Sequence, residues 1–246
     1  RNDYFESGLT QMGYHVRPLV VTRQDDSTVT VTATVEACGF KSGRFTHVAE
    51  YCVSGDGTIR VRNTVTPAGK LPVLPRMGVR LMLDGSLEQM AYYGRGPWEN
   101  YVDRNSGSDI GFYTSTVTEQ YVPYVRPQEC GGKSDVRWVA FTDRSGRGVH
   151  ITFPKPFFVT ALHYTFEDLE GARHRNGMER IYNPLRPRSE VCLALDVGQT
   201  GLGGASCGPI PLEKYILRAQ PFDYTYILRP CSDSSHEALS ALARER

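Results

Sequence analysis

The chain is poor in the features that announce a chemistry. Cysteine is sparse: six residues, at 38, 52, 130, 192, 207 and 231 of 246, with no CxxC pair and no regular spacing. A disulfide scaffold needs a denser set in a shorter chain, so cysteine leaves the compartment open between cytoplasm and periplasm. Charge of one sign is missing too. Lys and Arg number 28 against 27 Asp and Glu, for a net charge of +1. Nucleic-acid binding shows a basic excess, and no apolar run here approaches the ~20 residues of a membrane span. Neither nucleic acid nor membrane is expected as a partner. Residues Arg1 to Ser7 hold no apolar stretch of the kind a secretion signal carries. Arg1 is not a natural start and reads as a cut from something longer.

Helical periodicity is nearly absent, and alternation takes its place. From Thr28 to Ala37 the odd positions are apolar and the even ones polar, a half-buried strand with one wet face. Thr58–Val65 repeats the pattern, with Arg60 and Arg62 outward and only Asn63 breaking the apolar side. Gly55-Asp56-Gly57 supplies the turn between it and His47–Val53. Further strands are expected at Val79–Leu83, Gln89–Tyr93, Arg137–Thr142, Gly148–Phe153, Val191–Val197 and Tyr224–Leu228. Cys38 then sits at the turn of a hairpin and Cys52 far down its return strand, which argues against a bond between them. Two short helices are legible, one after Thr165 and one after Ser234. With no strand–helix alternation, parallel α/β folds and a (β/α)₈ barrel are excluded. The expectation is one all-β, antiparallel domain over residues 1–230, a sandwich or barrel. Residues 231–246 read as a C-terminal tail outside the main body.

Catalytic motifs are equally scarce. There is no G-x-S-x-G and no HExxH, and His163 and His174 stand 11 residues apart without metal-ligand spacing. Gly198-Gln199-Thr200-Gly201-Leu202-Gly203-Gly204 lacks the Lys-Ser/Thr of a phosphate loop. No catalytic residue and no metal ligand is assigned. What stands out is aromatic and polar density between 92 and 138. Trp98, Glu99, Arg126, Glu129, Arg137 and Trp138, with His174 further on, could line a sugar groove, ring faces packing on CH faces beside hydroxyl-binding groups. The alternative is that rigid aromatic and Pro plugs with Arg–carboxylate pairs beneath them hold the loops of a large β fold.

At these residues a family likeness emerges. Gly94-Arg95-Gly96-Pro97-Trp98-Glu99-Asn100-Tyr101-Val102-Asp103-Arg104 resembles the G-x-G-P-x-E-N-Y-x-D-R signature of the C-terminal small-chain domain of family 2 β-galactosidases. Tyr121–Glu129, Asp135-Val136-Arg137-Trp138 and His163–His174 resemble the motifs that follow it, in order. Gly201-Leu202-Gly203-Gly204 is similar to the family's glycine loop, and Asn2-Asp3 to the end of its A-P-x-D-N-D segment. The resemblance implies a large antiparallel super-sandwich of the galactose-mutarotase-like kind. It implies that the catalytic carboxylates and an active-site Mg²⁺ belong to a separate barrel, with no cofactor in this chain. The remaining domains of a parent hydrolase, itself a homo-oligomer, and a galactoside at the domain border are the implied partners. Asn2, Asp3, Ser206 and Cys207 would edge the outer sugar subsite. Cys207 stands where the family loop carries Trp, and Cys130 where it carries Asn. Two other readings stay open: a free-standing carbohydrate-binding module, and a mutarotase-like aldose epimerase using His150, His163 or His174.

Overall fold

The computed structural model describes residues 2–125, 127–172, 185–204 and 208–245. Twelve mostly antiparallel strands dominate it: β1 (Met12–Val16), β2 (Val20–Arg23), β3 (Thr28–Gly39), β4 (Arg44–Ser54), β5 (Ile59–Ala68), β6 (Arg76–Leu83), β7 (Gln89–Gly96), β8 (Asp109–Thr116), β9 (Lys133–Thr142), β10 (Gly148–Leu162), β11 (Val191–Gln199) and β12 (Phe222–Cys231). Three helices of six or seven residues join them: α1 (Asn2–Ser7), α2 (Phe166–Gly171) and α3 (His236–Leu242). The all-β expectation holds, and each strand read from alternation is present. The sequence gives no sign of β1, β2, β8 or α1. β1, β2 and β8 have largely exposed or half-buried residues on both faces, so no alternation is imposed on them.

The chain forms two units, each assembled from three separated segments. Unit 1 takes residues 1–77, 151–155 and 199–230; unit 2 takes 78–150, 156–198 and 231–246. The expected division into a body and a tail is thereby corrected. Residues 231–246 belong to unit 2, where Ser235 caps α3 and Leu239 is wholly buried among Ala91, Trp138, Ala140 and Cys231. Leu239 and Leu242 fall one turn apart, which gives the helix an apolar stripe to bury.

Unit 1 is built on the strand order β1-β3-β4-β5-β12, with β2 also on β3. Register explains its alternation. Val31, Tyr51, Val61 and Tyr226 stand side by side on one face. Thr32, Glu50, Arg62 and Thr225 stand side by side on the other. Asn63, the exception on the apolar face, accepts a hydrogen bond from His47 Nε2 at 2.9 Å. On the wet face Arg62 pairs with Asp223 at 2.6 Å. The β4–β5 turn uses Gly57 at φ +86°, a conformation only glycine adopts without strain. Cys38 lies opposite Arg44 and Cys52 opposite Thr30, so the two thiols are far apart along the hairpin and both are free.

Unit 2 holds β7 between β8 and β9, and β11 between β10 and β6. Its core is apolar and wholly enclosed at Val139, Phe141, Leu193 and Leu195. α2 begins with a capping box. Thr165 Oγ1 accepts from Asp168 N, and the Asp168 carboxylate accepts from Thr165 N, which satisfies two orphan donors of the first turn.

Candidate functional site

The loop that leaves β7 carries most of the signature residues, and its polar side chains tie it to itself and to the segment that leads into β9. Glu99 is largely buried. Its Oε1 accepts from Arg104 Nη2 at 2.7 Å and from the Tyr124 hydroxyl, and its Oε2 accepts from Gly131 N at 2.9 Å. Gly131 can approach because it has no side chain: at φ +74°, a Cβ would lie 2.3 Å from the Gln120 carbonyl oxygen. Asn100 is wholly buried. Its Nδ2 donates to the carbonyls of Arg95 and Trp98 at 3.1 and 3.0 Å. Its Oδ1 accepts from Ser134 N at 2.9 Å and Ser134 Oγ at 2.5 Å. Arg95 donates to Asp135 Oδ2 at 2.5 Å and to the Ser108 carbonyl at 2.9 Å. Arg104 also lies 5.1 Å over the ring of Tyr101.

Electrostatics follow the burial. Lys133 is enclosed, its Nζ donating to the Gly131 carbonyl at 3.2 Å, and burial brings it down to about 8 while Glu99 opposes that fall. Burial pushes the Tyr101 phenol well above its ordinary range, with Glu129 and Glu99 adding to the effect. The hydrogen bond to Glu99 raises Tyr124, and burial adds to it. Both oxygens of Glu99 are thus engaged in holding this polar cluster together.

Among the described residues the groove candidates do not share one open face. Arg137 and Trp138 are successive residues of β9 and so point to opposite faces. Trp138 is 4% exposed and packs in the core with Ala91 and Leu239, its ring 5.9 Å from Phe112. Arg137 is half-buried and donates to the Asp135 carbonyl. Glu99 is enclosed, as described, and Glu129 is half-buried beside the wholly buried Cys130. Among the described members of the group Trp98 alone is open, at 75% exposure. Arg126 and His174 lie outside the described residues, as do Ser206 and Cys207. Asn2 and Asp3 open α1.

Neither describable histidine of the epimerase reading meets an open surface. His150 is wholly buried, its ring 5.2 Å from that of Trp138. His163 Nε2 lies 2.7 Å from Glu88 Oε2 and its Nδ1 3.0 Å from the Glu190 carbonyl. Cys130 has become core: its sulfur accepts from Val122 N at 3.3 Å, it packs on Leu162 and Leu169, and burial raises its thiol. The sequence reading missed an open cleft of about 370 Å³ in unit 2 beside α2. Leu81, Met82, Cys192 and Leu193 line it together with the Arg80–Glu167 ion pair, 2.7 Å. These residues come from separate elements, and no spacing along the chain announces them. Among the described residues no group of three or more His, Cys, Asp or Glu side chains is placed to hold a metal ion. Among the described residues no helix is long and apolar enough to cross a membrane.

A family model described as the β-galactosidase small chain matches residues 2–228. The chain belongs to that family. This small chain is 33% identical to a β-galactosidase of Priestia megaterium over 154 residues, 63% of this chain and 14% of the relative. It is 30% identical to a β-galactosidase of Staphylococcus xylosus over 177 residues, 72% of this chain and 17% of the relative. The match therefore covers a small part of each of those relatives. Among solved structures, a galactose 1-epimerase of Lactobacillus acidophilus aligns over 88% of the small chain and 66% of its own, at 9% identity and a TM-score of 0.45. That likeness is too slight to bear on function.

Proposed function

We propose that this small chain is the non-catalytic wall of a larger family 2 β-galactosidase. Hydrolysis of terminal β-galactosides falls to a barrel outside these residues, which also holds Mg²⁺ and the two carboxyl groups, roughly 5–5.5 Å apart, of a retaining pair. This chain supports that barrel and shapes the outer sugar subsite through Asn2, Asp3, Ser206 and Cys207. The observation that carries the reading is the engagement of Glu99: the carboxylate of the family signature spends both oxygens on Arg104 of its own loop and on Tyr124 and Gly131 of the segment before β9. Purified alone, the chain is expected to leave a chromogenic β-galactoside unhydrolysed above buffer; an enzyme-like rate, free of contaminating hydrolase, overturns the proposal. In the full-length enzyme Cys207→Trp restores an aromatic face worth on the order of 1 kcal/mol. It is expected to lower KM for a disaccharide galactoside about fivefold while leaving a small aryl galactoside little changed.

One observation favours a second reading, a carbohydrate-binding surface. The open indole of Trp98 stands on a loop pinned by Asn100. Calorimetric titration with galactose and lactose separates the two, since millimolar or tighter binding abolished by Trp98→Ala supports a binding module.

A further inference from the structure

The apolar sheet face of unit 1 is wider than its cover. Tyr14, Val16 and Val21 stand opposite Ala37, Val35 and Val31, and so share the face that carries Val61, Val65 and Tyr226. Burial falls steadily across it. Val61, Val65 and Tyr226 are enclosed. Val29, Val31 and Val35 on β3 are half-buried, in the same range as the threonines of the wet face behind them. At the outer edge Tyr14 is 71% exposed, Val16 60% and Val21 65%. Edge strands usually protect themselves with charge. Here Arg17 turns to the wet face and pairs with Glu36; Arg23, opposite Val29 at the end of the apolar face, is the one charged residue of β1 and β2 on that face, and it pairs with Asp26. What remains between Tyr14 and Val31 is an apolar strip with Arg23 at its end, the mark of an interaction surface.

We propose that this strip, formed by Tyr14, Val16, Val21, Val29, Val31 and Val35, is the seat of another domain of the same polypeptide. The proposal rests on the reading above, that the chain is one domain of a longer galactosidase. Two arguments select this occupant over a second copy of the chain. The match covers only 14% and 17% of the two relatives described, so most of such a polypeptide is available to cover it. A tethered domain also acts at millimolar effective concentration and reaches the strip before a free copy can. The six side chains carry no charge, and Arg23 at their edge is already paired with Asp26, so the partner surface is apolar.

The test is peptide-resolved alkylation of Val16→Cys and Val21→Cys, two open positions at which substitution leaves the fold intact. In the isolated chain both thiols are expected to react as exposed groups, and in the native full-length protein at least tenfold more slowly. Equal rates in the two overturn the seat while leaving the larger reading standing. Intact mass of the native protein tests that reading separately, because a polypeptide no longer than this chain removes both. Sedimentation of the isolated chain covers the remaining case: a dimer that protects both thiols overturns the proposal in favour of a second copy. As an independent measure, Val21→Asp is expected to leave the melting temperature of the isolated chain within about 1 °C and to lower that of the full-length protein by several degrees.

Discussion

Lys133 holds an ammonium where water cannot reach it, with the Gly131 carbonyl 3.2 Å away and Glu99 nearby. Its proton affinity falls from 10.5 in the open chain to about 8 in the fold. Between those values the unfolded chain binds more protons than the folded one, so stability rises with pH across that window. Lys133→Met is expected to remove the rise, on the order of 3 kcal/mol between pH 8 and 10.5, in urea unfolding followed at each pH. Glu99 is held by three donors, and its removal takes a partner from Arg104, Tyr124 and Gly131 N at once. Glu99→Ala is expected to destabilise the isolated chain by about 2–4 kcal/mol. A loss below about 0.5 kcal/mol would show that the loop does not depend on it. The sequence marks Glu99 and Trp98 as a pair of equal interest. Only the fold separates them, enclosing the carboxylate and leaving the indole open.

At the scale of single elements, α3 is the clearest departure from the sequence reading. Its capping serine and its apolar stripe are visible in the sequence, but the surface that receives the stripe is made by β7 and β9, far away along the chain. Leu239→Ala empties a site walled by Ala91, Trp138 and Ala140, and is expected to cost about 2–5 kcal/mol in chemical denaturation. A tail standing free in solvent would show no such loss. β9 offers the complementary lesson. Its alternation was sufficient to place Arg137 and Trp138 on opposite faces, so a groove using both side chains conflicts with the strand that carries them. β1 and β2 show the limit of alternation, because strands open on both faces carry no burial to write it.

For the whole molecule, the two units interleave along the sequence, and neither is a contiguous stretch that could be cut out. Unit 1 needs β12 beside β5: Tyr226 lies opposite Val61 and Phe222 opposite Val65. A fragment ending at residue 198 loses β12 and uncovers that pairing edge. It is expected to show no cooperative thermal transition in near-ultraviolet circular dichroism, whereas the 246-residue chain does. By itself the sequence determined the all-β class, most of the strands, both faces of β3 and β5, and the family, because period-two alternation and a signature in order are local properties of a chain. The tertiary structure alone decided that the signature polar groups bind one another, that Trp138 and Leu239 share a core, and that an apolar face runs on past its cover. Those outcomes depend on which distant strands become neighbours, and no spacing along the chain encodes that.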